Sequence, residues 1–212
     1  MTLAQSTDQH TTVLHLSQTA ERNVIRDLLR AELRVEETGA DPAAIQPEIN
    51  RRMAAALDRA HQVQGVRVET GSYGVGEERP QTGPSRWRGS QSIILTGKDI
   101  DSLLKLAGAL QSDGLIMSSL TFEASTETVR GAEEDLTAEA LAALDRRAAS
   151  IAGRMHLTVV GYRDLHVGNA ETEGGRPIPR FAAMAAAPVA EPGQATIRVT
   201  IEAELQLAPP RP

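Results

Sequence analysis

The stretch RWRGSQSIILTGKDIDSLLKLAGAL, residues 86–110, decides the fold. Its first half alternates so that Trp87, Gly89, Gln91, Ile93 and Leu95 share one strand face, and Gly97-Lys98 then turns the chain. Asp99 has the short acceptor side chain of a helix N-cap. Leu103, Leu104, Leu106, Ala107 and Leu110 follow at helical spacing. A strand running without proline into a capped amphipathic helix is a unit of a layered α+β protein.

Outward from it, Thr12 to Ala20 reads as a strand, Glu21-Arg22-Asn23 as a turn, and Leu29, Ala31, Leu33 and Val35 as the buried side of a second strand. Asp41-Pro42 opens a helix whose buried stripe is Ile45, Ile49, Met53 and Leu57. Val66 and Val68 begin a third strand, and apolar parity changes by Tyr73 and Val75, which predicts a bulge near Gly71. A polar loop spans Glu77 to Ser85. After Gly114, Ile116, Leu120, Phe122 and Ala124 are expected on one strand face.

A long helix is predicted from about Thr126 to Met155, buried along Leu136, Ala140, Leu144, Ala148, Ile151 and Met155, with a weak point at Gly131. Leu157 to Val167 reads as a strand and 168–194 as a long Ala/Pro/Met-rich loop. Ala195, Ile197, Val199, Ile201, Ala203, Leu205 and Leu207 alternate cleanly in the last strand. The order is ββαββαβαββ, an antiparallel or mixed sheet with amphipathic helices on one face. It is expected as a flexible arm (1–11), a single domain over 12–207 and a tail (208–212).

Composition narrows the function classes. The 212 residues carry a net charge of −6 with Arg interleaved among Glu and Asp, which argues against a nucleic-acid partner. There is no cysteine, hence no disulfide and no thiolate chemistry. No run of about 18 apolar residues exists to span a membrane. Met1 to Ser6 is compatible with a start placed beside an export cleavage site, the apolar segment itself being absent from this chain.

Motifs that would carry chemistry are missing. Gly71, Gly74 and Gly76 precede no helix, so they read as strand irregularity rather than a phosphate loop. His10, His15, His61, His156 and His166 show no i, i+4 pair; His166 and Asp164 share a strand face but form no recognised ligand set. Ser90 and Ser92 stand in no nucleophile elbow, and Glu133-Glu134-Asp135 reads as a solvated helix face. No catalytic, cofactor-binding or metal residues are assigned, and an enzyme is not expected. Candidate interaction residues are Arg180, Phe181 and Met184 in the long loop, with Tyr73 and Trp87.

The ordered set RDLLRAELRVEETG, RWRGSQSIILT, DIDSLLKLAGAL, GLIMSSLTFEAST, EDLTAEALAALDRRAASIA and PGQATIRVTIEAELQL resembles the SIMPL-domain family, over about Thr12 to Leu207. Arg26 stands before Asp27 where many members have proline. The resemblance is to the bacterial branch of periplasmic and outer-membrane-associated immunogenic proteins. It implies an α+β envelope protein that forms homo-oligomers, with links to envelope and oxidative stress tolerance and no catalytic residues to carry over. An envelope protein partner is a further expectation. The alternative is a periplasmic small-ligand or metal-binding module using a cleft near Tyr73 and Trp87.

Overall fold

The computed structural model describes residues 12–79, 85–172 and 191–210. Its elements are β1 (Thr12–Ile25), β2 (Leu28–Gly39), α1 (Pro42–His61), β3 (Val66–Glu78), β4 (Arg86–Gly97), α2 (Ile100–Ser112), β5 (Ile116–Glu123), α3 (Thr126–Arg154), β6 (Thr158–Val167), β7 (Glu171–Thr172) and β8 (Gln194–Ala208). The α+β class and the order of elements are as expected; β7 is an added two-residue strand inside the expected loop. The chain divides into two compact units. One holds β2 to β5 with α1 and α2, and the other holds α3, β6 and β7 with nearly all of β1 and β8.

The first unit is a four-stranded sheet in the order β3-β4-β2-β5, antiparallel throughout. Leu29, Ala31, Leu33 and Val35 of β2 are wholly buried, as strict alternation demands of a central strand with one covered face. α1 and α2 supply the cover. Asp41 Oδ1 accepts from the Ala43 amide at 2.9 Å, and Asp99 Oδ1 accepts from the Ser102 amide at 3.1 Å, so both predicted caps form. The α1 stripe is Ile45, Ile49, Met53, Ala56 and Ala60, with Leu57 only half-buried. Each large apolar side chain placed there contributes about 1.5–3 kcal/mol before entropy is counted.

Two bulges set side-chain direction in this sheet. Between Thr70 and Tyr73 the register of β3 on β4 shifts, as the parity change predicts. A second shift, between Glu32 and Leu33, leaves Ser118 as the extra residue of β5. It overturns one expectation: Ile116 does not share a face with Leu120 and Phe122 but lies opposite Arg34 and is exposed, while Met117 faces Leu33. The Arg34 guanidinium donates to Ser118 Oγ at 3.0 Å and fills the bulge.

The second unit is the sheet β1-β8-β6, with β7 continuing along the β6 side of β8. Its core joins Ile197, Val199, Ile201, Ala203 and Leu205 of β8 to Ala132, Leu136, Ala140, Leu144 and Ala148 of α3. The regular four-residue spacing, with alanine alternating with leucine, makes a ridge that packs onto the strand. α3 is continuous through Gly131.

Two further expectations fail here. Glu21-Arg22-Asn23 is strand rather than turn, because Glu21 and Asn23 pair with Arg198 and Thr196 of β8, while Arg22 donates to Asp135 and Glu139 of α3. Met155 is exposed and Ala152 buried in its place, since the helix ends at Arg154 and the chain turns away.

Candidate functional site

The β1-β8-β6 sheet leaves the face away from α3 open. Four contacts across β1 and β8 define it: Asn23–Thr196 at 2.9 Å, Glu21–Arg198 at 3.1 Å, Thr19–Thr200 at 3.0 Å and His15–Glu204 at 3.3 Å. Residue numbers rise on one strand as they fall on the other, so the pairing is antiparallel and these side chains share one surface. On the other side of β8, Asp164 lies opposite Glu204 and His166 opposite Glu202. Two rows therefore cross three strands, His15–Glu204–Asp164 and Ser17–Glu202–His166. They line a groove of about 380 Å³. Arg163 Nε comes within 3.9 Å of the other Glu204 oxygen. Among the described residues, no group of three or more His, Asp or Glu side chains is placed to hold a metal ion as the side chains stand.

The edge strand β6 carries a different surface. Val160, Tyr162, Leu165 and Val167 are exposed by 59, 42, 42 and 42 %. Register shifts at Val159/Gly161 and Tyr162/Asp164 bulge the strand. The Tyr162 hydroxyl donates to Asp145 Oδ1 on α3. Partial burial, then that hydrogen bond and the aspartate charge, push the Tyr162 phenol up to about 12.

On the β3-β4-β2-β5 sheet, Trp87 is half-buried against the core and sits opposite Glu77, whereas Tyr73 is exposed and sits opposite Gln91. Four ladder positions separate them, about 13 Å along the strand. The structure does not bring them into one cleft. A shallow hollow near Tyr73 is lined instead by Gly74, Gly76, Glu77, Glu78, Arg88 and Ser90. Arg88 reaches Glu78 at 3.5 Å and Glu36 at 3.3 Å, and Arg34 reaches Glu36 at 3.1 Å. This ladder of charges occupies the open face of that sheet. Gly71 belongs to the β3 bulge beside Ser92, which is buried.

Arg180, Phe181, Met184 and His10 lie outside the described residues, as does most of the 168–194 loop. His61 is in the last turn of α1. His156 takes a positive φ of 56° just past α3. Sequence reasoning missed the joining of His15 to Glu204 and the apolar edge of β6. Alternation of Glu202 and Glu204 with buried residues was the available signal for the first, but nothing local names the strands that lie alongside.

Two open-faced antiparallel sheets, each covered on its other side by helices, define an α+β protein with polar sheet surfaces. The family model described as SIMPL, a protein of unknown function (DUF541), matches residues 14–205. The chain belongs to the SIMPL family. Comparison with curated proteins gives no match. No helix among the described residues is long and apolar enough to cross a membrane.

Proposed function

We propose that this protein is a cell-envelope protein that works by assembling with copies of itself rather than by catalysis. The compartment and the link to envelope or oxidative stress rest on the family resemblance. One observation carries the assembly: among the described residues β6 is an edge strand, and four of its large apolar side chains are exposed. Edge strands of soluble proteins are ordinarily shielded by charge or distortion. Here the two bulges distort the edge, yet Tyr162, Leu165 and Val167 stay exposed. The contact favoured is burial of these side chains against a second copy, more than extension of the hydrogen-bond ladder.

Light scattering coupled to size exclusion on the full chain tests this. The expected parent is a multimer that Leu165→Asp with Val167→Asp converts to a monomer. A parent that remains monomeric at high protein concentration overturns the reading.

A further inference from the structure

The groove on the open face of the β1-β8-β6 sheet has the chemistry of a metal site. We propose that it binds one first-row divalent cation of zinc type, held by His15, Glu204, Asp164 and His166. Zinc takes imidazole nitrogen at about 2.05 Å and carboxylate oxygen at about 2.0 Å; at a tetrahedral angle those two donors stand about 3.3 Å apart. His15 Nδ1 and Glu204 Oε1 stand 3.3 Å apart. The first two ligands are thus already at the edge length of the coordination tetrahedron.

The remaining donors lie within side-chain reach. Asp164 is directly opposite Glu204, one strand spacing away, about 4.8 Å. His166 is two positions along β6 on the same face, diagonal to Glu204 and next to Glu202. These side chains rim a groove open to water, and Asp164 and His166 are exposed like His15, so the third and fourth ligands are brought in by side-chain rotation on binding, without disturbing the core. Two imidazoles with carboxylates select a borderline ion over magnesium or calcium, which favour all-oxygen sets. The opposing charge is Arg163, at 3.9 Å from Glu204 Oε2. It competes for the same carboxylate, so its removal strengthens binding.

The inference goes beyond self-assembly and is tested separately from it. Zinc is titrated into the full chain, without an affinity tag, against a chromophoric chelator, with light scattering on the same samples. One equivalent per chain is expected. His15→Ala and His166→Ala each weaken binding about tenfold or more, Arg163→Gln tightens it, and His61→Ala and His156→Ala leave it unchanged. Nitrogen-15 shifts of the imidazoles move for His15 and His166 alone. Circular dichroism melts of the variants match the parent in the absence of zinc, since the replaced groups lie outside the core. Absence of zinc binding overturns the proposal. So does zinc binding that survives replacement of both His15 and His166.

Discussion

Gly89 lies directly beneath Ile49: a Cβ on Gly89 would stand 2.5 Å from Ile49 Cδ1 and 2.9 Å from Ile45 Cγ2. Val75 Cγ2 closes the third side at 3.2 Å. The absence of a side chain at this one position of β4 sets how closely α1 rests on the sheet. A glycine that weakens a strand on its own is here the condition for helix packing.

Gly89→Ala is therefore expected to destabilise the protein by about 1–3 kcal/mol, the usual cost of overpacking a filled core. Gly74→Ala and Gly76→Ala, whose added methyl groups meet open space, are the matched controls and leave the urea midpoint unchanged or raised. An unchanged midpoint for Gly89→Ala would show that α1 can lift from β4 at no cost.

Helices α2 and α3 end in the same hydrogen-bond pattern with different residues at the turn. Gly114 N donates to Gln111 O at 2.9 Å and Leu115 N to Leu110 O at 3.0 Å; His156 N donates to Gly153 O at 3.1 Å and Leu157 N to Ala152 O at 2.9 Å. The turn residue needs positive φ, 91° at Gly114 and 56° at His156. Glycine takes that conformation without strain and histidine does not. His156→Gly is expected to stabilise the protein by about 0.5–1 kcal/mol, while Gly114→Ala destabilises it and also presses on Arg52 Nη2. Thermal melts of the pair, moving in opposite directions, are the check.

Tyr162 gives a pH dependence with a definite sign. Its folded-state value, raised to about 12 by burial and the Asp145 bond, exceeds the ordinary phenol value of 10.0. Below about pH 10 both folded and unfolded chains hold the proton, and the Tyr162 contribution to stability is complete. Between about 10 and 12 the unfolded chain loses its proton first, so stability falls as pH rises. Spectrophotometric titration at the phenolate band should show a late phase that Tyr162→Phe removes. The same replacement should flatten the alkaline fall in urea stability.

What the sequence discloses follows from where the determining contacts lie. The caps at Asp41 and Asp99, the Ile45–Ile49–Met53 stripe and the β3 bulge near Gly71 depend on neighbours within a few residues, and each is legible. Glu21 to Asn23 looks like a turn because its polar residues find their strand partners, Arg198 and Thr196, at the far end of the chain. The groove is hidden for the same reason: His15, Asp164 and Glu204 have no common spacing and meet only when three strands align. Trp87 identifies the unit that carries it, and its half-buried place against the core is that of a packing residue.

Ile116 is the case where one inserted residue reverses a reading, and it yields the sharpest test of the register. In β5, Ser119 faces Glu32 and Met117 faces Leu33, so Ser118 has no partner of its own across the ladder. Deleting Ser118 would leave both pairs in place and convert the bulge to a regular ladder. Met117 would still point to the core, Ile116 would still face water, and the loss is the Arg34–Ser118 hydrogen bond at 3.0 Å. Deleting Thr121, a regular position opposite Arg30, instead moves Leu120, Ser119 and Ser118 by one position before the bulge takes up the slip, and sends Leu120 to the polar face and Ser119 to the core. The chain lacking Ser118 is expected to fold with a stability loss of about 0.5–1.5 kcal/mol, and the chain lacking Thr121 to lose cooperative unfolding. Urea denaturation followed by Trp87 fluorescence reads both, and equal damage from the two deletions would contradict the bulge.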